Sequence, residues 1–158
     1  MTPSALYVYP GTEGFKAGFS RRGDLNSPWG LNLGLNTLQN PAEVEENRKR
    51  FAGLLEKKEL VFLNQVHQDA ILETESSGIF DGFDGVITRK KGLVLNILTA
   101  DCLGILACDP MAGIAGAFHA GWKGSALKIV QKGLEKMFLL GAKPEHTKVL
   151  INPGICRN

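Results

Sequence analysis

Two histidines and one cysteine stand where apolar runs of this 158-residue chain stop. His67 closes Asn64-Gln65-Val66-His67, just after the run Leu60–Leu63. Cys102 follows Asp101, directly after Leu93–Ala100. His119 follows Gly113–Phe118. Strand ends lie at the rim of a sheet, where side chains can converge on one pocket. The two runs before Cys102 and His119 read as neighbours in one sheet, which would bring those residues together. Two imidazoles and a thiolate suit a three-ligand zinc site whose fourth position stays open for water or substrate. Zinc there would bring the pKa of bound water to near 7. The same residues could instead make a thiol nucleophile, Cys102, with a histidine as base. A third account is structural, with a small buried cysteine and two hydrogen-bonded histidines. The separations, 35 residues (102 − 67) and 17 residues (119 − 102), match no local zinc signature. Spacing alone leaves the three readings open.

The segment His119-Ala120-Gly121-Trp122-Lys123-Gly124-Ser125 adds a different chemistry. Gly121 and Gly124 bracket Lys123 where a helix should start. Free backbone N–H groups, the helix dipole and the ammonium all favour an anion there, such as phosphate or carboxylate. The pattern is not a Walker A loop. Its bland alternative is a glycine-eased strand-to-helix turn with an exposed Lys123. Asp101 could orient a ligand histidine or simply accept backbone hydrogen bonds. Trp29, with Arg21 and Arg22 in one polar loop, could stack on a flat ligand or form an ordinary surface loop. Cys108 reads as core and His146 as an exposed bystander.

These residues need elements to position them. Strands are expected at Ala5–Tyr9, Phe15–Ser20, Leu60–Leu63, Gly85–Thr88, Leu93–Thr99, Leu103–Cys108, Gly113–Phe118 and Val149–Ile151. Ala70–Glu73 reads as a continuation or partner of Leu60–Leu63, and Ser76–Asp84 as a loop. One helix starts after Asn40, a side-chain cap, with Pro41 at its first position and Glu43 three residues past the cap. Val44, Phe51, Leu54 and Leu55 would line its inner face. A second helix runs from Ser125 to about Leu140, with Leu127, Val130, Leu134 and Met137 as its stripe and Gly141 as its C-terminal cap. Short strands between two helices, without regular alternation, point to an α+β fold with mixed sheets rather than a Rossmann sheet.

Composition narrows the class. Eighteen basic residues against 16 acidic ones leave a net charge of +2, which argues against a nucleic-acid module held by a basic face. Hydrophobic residues make up 44% and charged residues 22%, enough to build a core and avoid disorder. No apolar run approaches a membrane span, and the N-terminus lacks the basic and apolar regions of a signal peptide. Three cysteines are too few for a disulfide scaffold, so a reduced, cytoplasmic setting is expected. A single domain over 1–158 fits the length.

Several segments, in order, resemble one known family. They are Asn64-Gln65-Val66-His67, Asp84-Gly85-Val86-Ile87-Thr88, Thr99-Ala100-Asp101-Cys102-Leu103, Asp109-Pro110 and His119-Ala120-Gly121-Trp122-Lys123-Gly124. Upstream, Gly18-Phe19-Ser20-Arg21, Leu31-Asn32-Leu33-Gly34 and Val44-x-x-Asn47-Arg48 extend the match. The chain thus resembles the laccase-domain family, also called multicopper polyphenol oxidoreductases and purine nucleoside phosphorylases, over about Lys16 to Gly154. The resemblance implies a cytotoxic necrotising factor-like arrangement of mixed sheets. It implies zinc at His67, Cys102 and His119, with copper as the other candidate metal.

The resemblance also implies phosphorolysis of adenosine, inosine and methylthioadenosine, and adenosine deamination. Cys102, His67, His119 and Asp101 would be catalytic. Lys123, Gly121, Gly124, Arg48, Asn32 and Arg21 would face substrate and phosphate. Its alternatives are copper-dependent phenol oxidation and a cysteine-dependent hydrolase editing peptidoglycan precursors. Ligands would be a nucleoside and phosphate, with neither nucleic acid nor membrane. The family's Trp-Arg-Gly is Trp122-Lys123-Gly124 here, which keeps the charge and loses the bidentate fork. Family members commonly run longer, so the domain is expected to be incomplete at its C-terminus. An open sheet edge there makes a second copy of the chain a candidate partner.

Overall fold

The computed structural model describes residues 6–9, 14–20, 30–35, 37–56 and 59–154. The chain packs as two compact units, Met1–Lys58 and Glu59–Asn158. In the first, β1 (Leu6–Tyr9) and β2 (Ala17–Ser20) form an antiparallel pair, and α1 spans Pro41–Leu55. The cap is as expected: the Asn40 side chain accepts the Ala42 N–H at 3.0 Å. The inner stripe of α1 is not purely apolar. Val44, Asn47, Arg48 and Phe51 are all buried at helical spacing.

The second unit holds eight strands, two α-helices and a short 3-10 helix (Pro144–His146) among its described residues. β3 (Leu60–Asn64) sits between β5 (Gly78–Asp81) and β7 (Val94–Leu95) in a parallel three-stranded sheet. A five-stranded sheet runs in the order β10 (Lys148–Ile151), β8 (Leu103–Asp109), β9 (Ile114–Ala120), β6 (Gly85–Thr88), β4 (Ile71–Glu73). Its pairings are antiparallel except β4 with β6. The expectation of an α+β fold with mixed sheets is borne out.

The larger sheet is a middle layer, so its central strands are buried on both faces and read as continuous apolar runs. On one face, Ile87, Ile105, Ala107, Ile114 and Phe118 pack with Ile129 and Met137. These last two lie on α3 (Ile129–Leu139). On the other face, Val86 and Ala117 meet Val61 and Leu63 of β3. Alternation along β6 and β9 therefore sends successive side chains into two different cores. Phe118 fills the first. A Cβ on Gly85 or Gly116 would come within 2.9 or 2.7 Å of its ring, and one on Gly133 would overlap it.

Three expectations change. Ser76–Asp84 contains β5, because Val61–Asn64 offers it a parallel partner. Ile71–Glu73 pairs with β6 in the larger sheet and not with Leu60–Leu63. The long strand expected over Leu93–Thr99 is reduced to the two residues of β7, which lie beside β3 and not beside β9. Moreover, the single helix expected from Ser125 is broken. α2 covers Trp122–Ala126, Lys128 takes a left-handed conformation (φ 62°), and α3 begins at Ile129. The break lets each piece bury its own stripe: Gly124 on α2, and Ile129, Gly133 and Met137 on α3. Leu127, expected on the stripe, is exposed.

Candidate metal centre

Cys102 and His119 meet through the β8–β9 hairpin. Leu103 pairs with Ala120 and Gly104 with His119, so Cys102 lies at the mouth of β8 beside the end of β9. The hairpin turn is built by Asp109, fully buried. Its carboxylate accepts the N–H groups of Met111 and Ala112 at 2.8 and 3.0 Å, and that of Lys143 at 2.7 Å. Burial pushes this carboxyl up. The bonds from Ala112, Lys143 and Met111, with His146 nearby, outweigh that and hold it below the ordinary carboxylate range. His146 is half-buried, 4.0 Å from Asp109. Asn152 secures the approach to Cys102: its side chain accepts the Gly104 N–H at 2.7 Å and donates to Thr99 Oγ1 at 2.9 Å.

His67 arrives from the loop after β3. Gln65 anchors the start of that loop by a two-way amide pairing with the Leu98 backbone, both bonds 2.8 Å. His67 itself has a φ of 58°, a conformation that a β-carbon resists. Asp84 compensates. Its carboxylate, fully buried, accepts the N–H groups of Val66, His67 and Gln68 at 3.0, 2.9 and 2.9 Å. Successive N–H groups around a left-handed residue form an anion-binding nest. Here the anion is a side chain of the chain itself.

The same carboxylate reaches the second histidine. His119 is 3% exposed, and its Nδ1 lies 2.8 Å from Asp84 Oδ1. A carboxylate only accepts, so a neutral imidazole in this contact donates from Nδ1 and leaves the Nε2 lone pair bare. The donor atoms of His67, Cys102 and His119 all lie within 4.8 Å of one another. The two imidazoles stand edge to face, 4.8 Å between centroids.

Space for an ion comes from Gly121. A Cβ there would sit 3.2 Å from Cys102 Sγ, 3.3 Å from His67 Cδ2 and 3.6 Å from His119 Cε1. An N, N, S donor set around such an opening fits zinc, and fits copper by ligand type.

A family model described as multi-copper polyphenol oxidoreductase laccase matches residues 16–158. The chain belongs to this family. Among the relatives of this laccase-family chain, a Deinococcus radiodurans purine nucleoside phosphorylase is 42% identical over 129 residues, 80% of this chain and 50% of that protein. A Streptomyces griseus purine nucleoside phosphorylase is 37% identical over 82% of this chain and 56% of its own length. This chain thus spans about half the length of the curated relatives it matches. Among solved structures, the Bacillus licheniformis protein YfiH superposes with a TM-score of 0.83 at 29% identity, covering 89% of this chain and 58% of that one. YlmD from Geobacillus stearothermophilus gives 0.78 at 27% identity, covering 96% and 59%.

The remaining residues singled out from the laccase-family sequence fall as follows. Asp101 is exposed, and the hydrogen bond that orients His119 comes from Asp84 instead. Lys123 is exposed on α2, its ammonium 5.5 Å from the centroid of the Trp122 ring. Gly124 is buried and closely packed: a Cβ would approach the carbonyls of His119 and Gln68 to 3.1 and 3.2 Å. In the first unit, Arg48 Nε donates to the Leu33 carbonyl at 2.8 Å and Asn47 to the Asn32 carbonyl at 3.0 Å. The Asn32 side chain bonds Thr37 and Gln39. Arg21, Arg22, Trp29 and Cys156 lie outside the described residues. Cys108 is buried, which pushes its thiol up and suits a core role.

Reading the sequence for chemistry missed Asp84, Gln65 and Asn152. Asp84 did carry one signal, a lone acid immediately before the apolar run Gly85–Ile87.

Proposed function

We propose that this chain carries the metal-holding part of a zinc-dependent purine nucleoside phosphorylase, acting on adenosine, inosine and methylthioadenosine, with adenosine deamination as a second reaction. The convergence of His67, Cys102 and His119 around Gly121 carries the reading. The names of the relatives support its substrate class. In phosphorolysis a phosphate oxygen bonds to ribose C1′ while the bond to the purine nitrogen breaks, and the base leaves with a proton. In deamination water adds at purine C6 and ammonia leaves.

His67, Cys102 and His119 would hold the zinc, which when bound supplies Lewis acidity at that point. Asp84 keeps the His119 proton on Nδ1, so the other ring nitrogen is available without rearrangement. Gly121 and Gly124 let backbone come close where a side chain would intrude. Lys123 offers an exposed ammonium to phosphate. Asp101, adjoining Cys102, is assigned a catalytic part in the same proposal. Asn32, Arg48 and Arg21 are assigned to substrate on the family resemblance. A cytoplasmic setting belongs to the proposal too, since Cys102 must stay reduced.

The test is incubation of the zinc-loaded chain with adenosine and phosphate, with products separated by chromatography. Adenine with ribose 1-phosphate reports phosphorolysis, and inosine reports deamination. His119→Ala should lose zinc and both activities together. Folded, zinc-loaded protein that makes neither product overturns the proposal for this chain. Copper-dependent phenol oxidation and Cys102-dependent cleavage of peptidoglycan precursors are then read in the same panel.

A further inference from the structure

We propose that Asp84 is the positioning residue for both histidines of the cluster, and that it sets the affinity of the site for zinc. The inference rests on the metal reading above and deepens it. One buried carboxylate makes four contacts that matter. Three go to the backbone N–H groups of Val66, His67 and Gln68. They hold the turn whose left-handed centre, His67, aims one imidazole. The fourth goes to His119 Nδ1 and fixes which nitrogen of the other imidazole is bare. The carbonyl of Asp84 also accepts the His119 N–H, at 2.7 Å. Asp84 lies between the two histidines in sequence and ties the β3 loop to the end of β9 from the mouth of β6. The His119 ring cannot turn without breaking a buried hydrogen bond to this carboxylate, and the His67 backbone cannot shift without breaking a part-buried one.

Asp84→Asn separates position from shape. An amide oxygen at the Oδ2 place still accepts Val66 and Gln68. The amide NH₂ then stands at the Oδ1 place, facing the His67 N–H and donating to His119 Nδ1. That reverses the His119 tautomer, puts its proton on Nε2 and removes the lone pair a metal needs.

The experiment uses the ¹⁵N-labelled chain. The His119 tautomer is read in the metal-free protein at pH 8 by long-range proton–nitrogen correlation. Zinc affinity is read by competition with a chromophoric chelator. Wild type should show His119 protonated on Nδ1. Asp84→Asn should show it on Nε2, with zinc affinity lowered roughly 10–100-fold. His67→Ala should lower zinc affinity with the His119 tautomer unchanged, which separates loss of a ligand from loss of orientation.

A wild-type His119 protonated on Nε2 overturns the proposal, and so does zinc binding in Asp84→Asn within twofold of wild type. If Asp84→Asn fails to fold, the wild-type tautomer decides by itself. If wild type binds no zinc, the metal reading falls. The tautomer then still decides the positioning role: Nδ1–H upholds it and Nε2–H overturns it.

Discussion

Both compact units hold a loop in shape with a buried polar side chain, but with opposite polarity. In the first, Asn47 and Arg48 reach out from the inner face of α1 and donate to the carbonyls of Asn32 and Leu33. In the second, Asp84 receives three N–H groups from one turn and the proton of a histidine. The first device divides its work between two side chains, each with one principal carbonyl. The second gathers four donors on a single carboxylate, and that turn carries a member of the candidate metal site. A buried polar residue among apolar neighbours is costly without partners, so in each unit it marks a loop whose shape must be kept. Concentrating the bonds on one group makes the second device stiffer and the more vulnerable of the two.

That contrast can be broken by substitution. Asp84→Ala should have the largest effect, because it strands three N–H groups and the His119 proton at once. A loss of about 3–5 kcal/mol is expected, measured by urea unfolding; a loss under about 1 kcal/mol would mean that the turn is held by other contacts. Arg48→Met keeps the bulk on α1 and removes its hydrogen bond to the Leu33 carbonyl, so about 1–3 kcal/mol is expected from the same measurement. A loss from Arg48→Met equal to that from Asp84→Ala would erase the difference between the units. Asn40→Ala removes only the α1 cap, which is exposed to water, and should lose about 1 kcal/mol.

Asp109 sharpens the comparison by pH. It is a second carboxylate holding backbone N–H groups, and its carboxyl is held low in the folded chain. Its contribution is therefore complete above the ordinary aspartate value of about 3.9. It fades as pH falls through the lower, folded value. Unfolding measured from pH 5 downwards should show a shallower decline of stability for Asp109→Asn than for wild type. Parallel curves would show that the hairpin turn does not depend on the charge.

How much of this was legible in the residues depended on how local the cause was. The start of α1 was legible because Asn40, Pro41 and the first-turn acid act within four residues. The end of β9, and with it His119, was legible because an apolar run stops abruptly there, and Cys102 because the next apolar run, β8, starts directly after it. β5 was not, since Gly78–Asp81 becomes a strand only when β3 lies alongside. The long apolar run before Cys102 misled in the opposite sense: β3 pairs with only Val94 and Leu95 of it. The polar stripe of α1 defeated a count of hydrophobic residues, because Asn47 and Arg48 face inward to meet carbonyls 15 residues away. The role of Asp84 was hidden for the same reason, with partners 16 to 35 positions distant. Nothing near Lys128 signals its left-handed turn.

The nest around Asp84 has a consequence for solvent exchange. Val66 is 47% exposed, and His67 and Gln68 are exposed too, so by surface alone their amides belong to a fast-exchanging loop. Yet each amide proton points inward to a carboxylate shut off from water, and that carboxylate is locked to the end of β9. Exposing all three protons together requires the turn to come away from Asp84, which is itself bonded to the end of β9. Their deuterium uptake should follow the slow clock of the central sheet rather than that of a surface turn. A loop exposed at the surface would then be among the last to exchange.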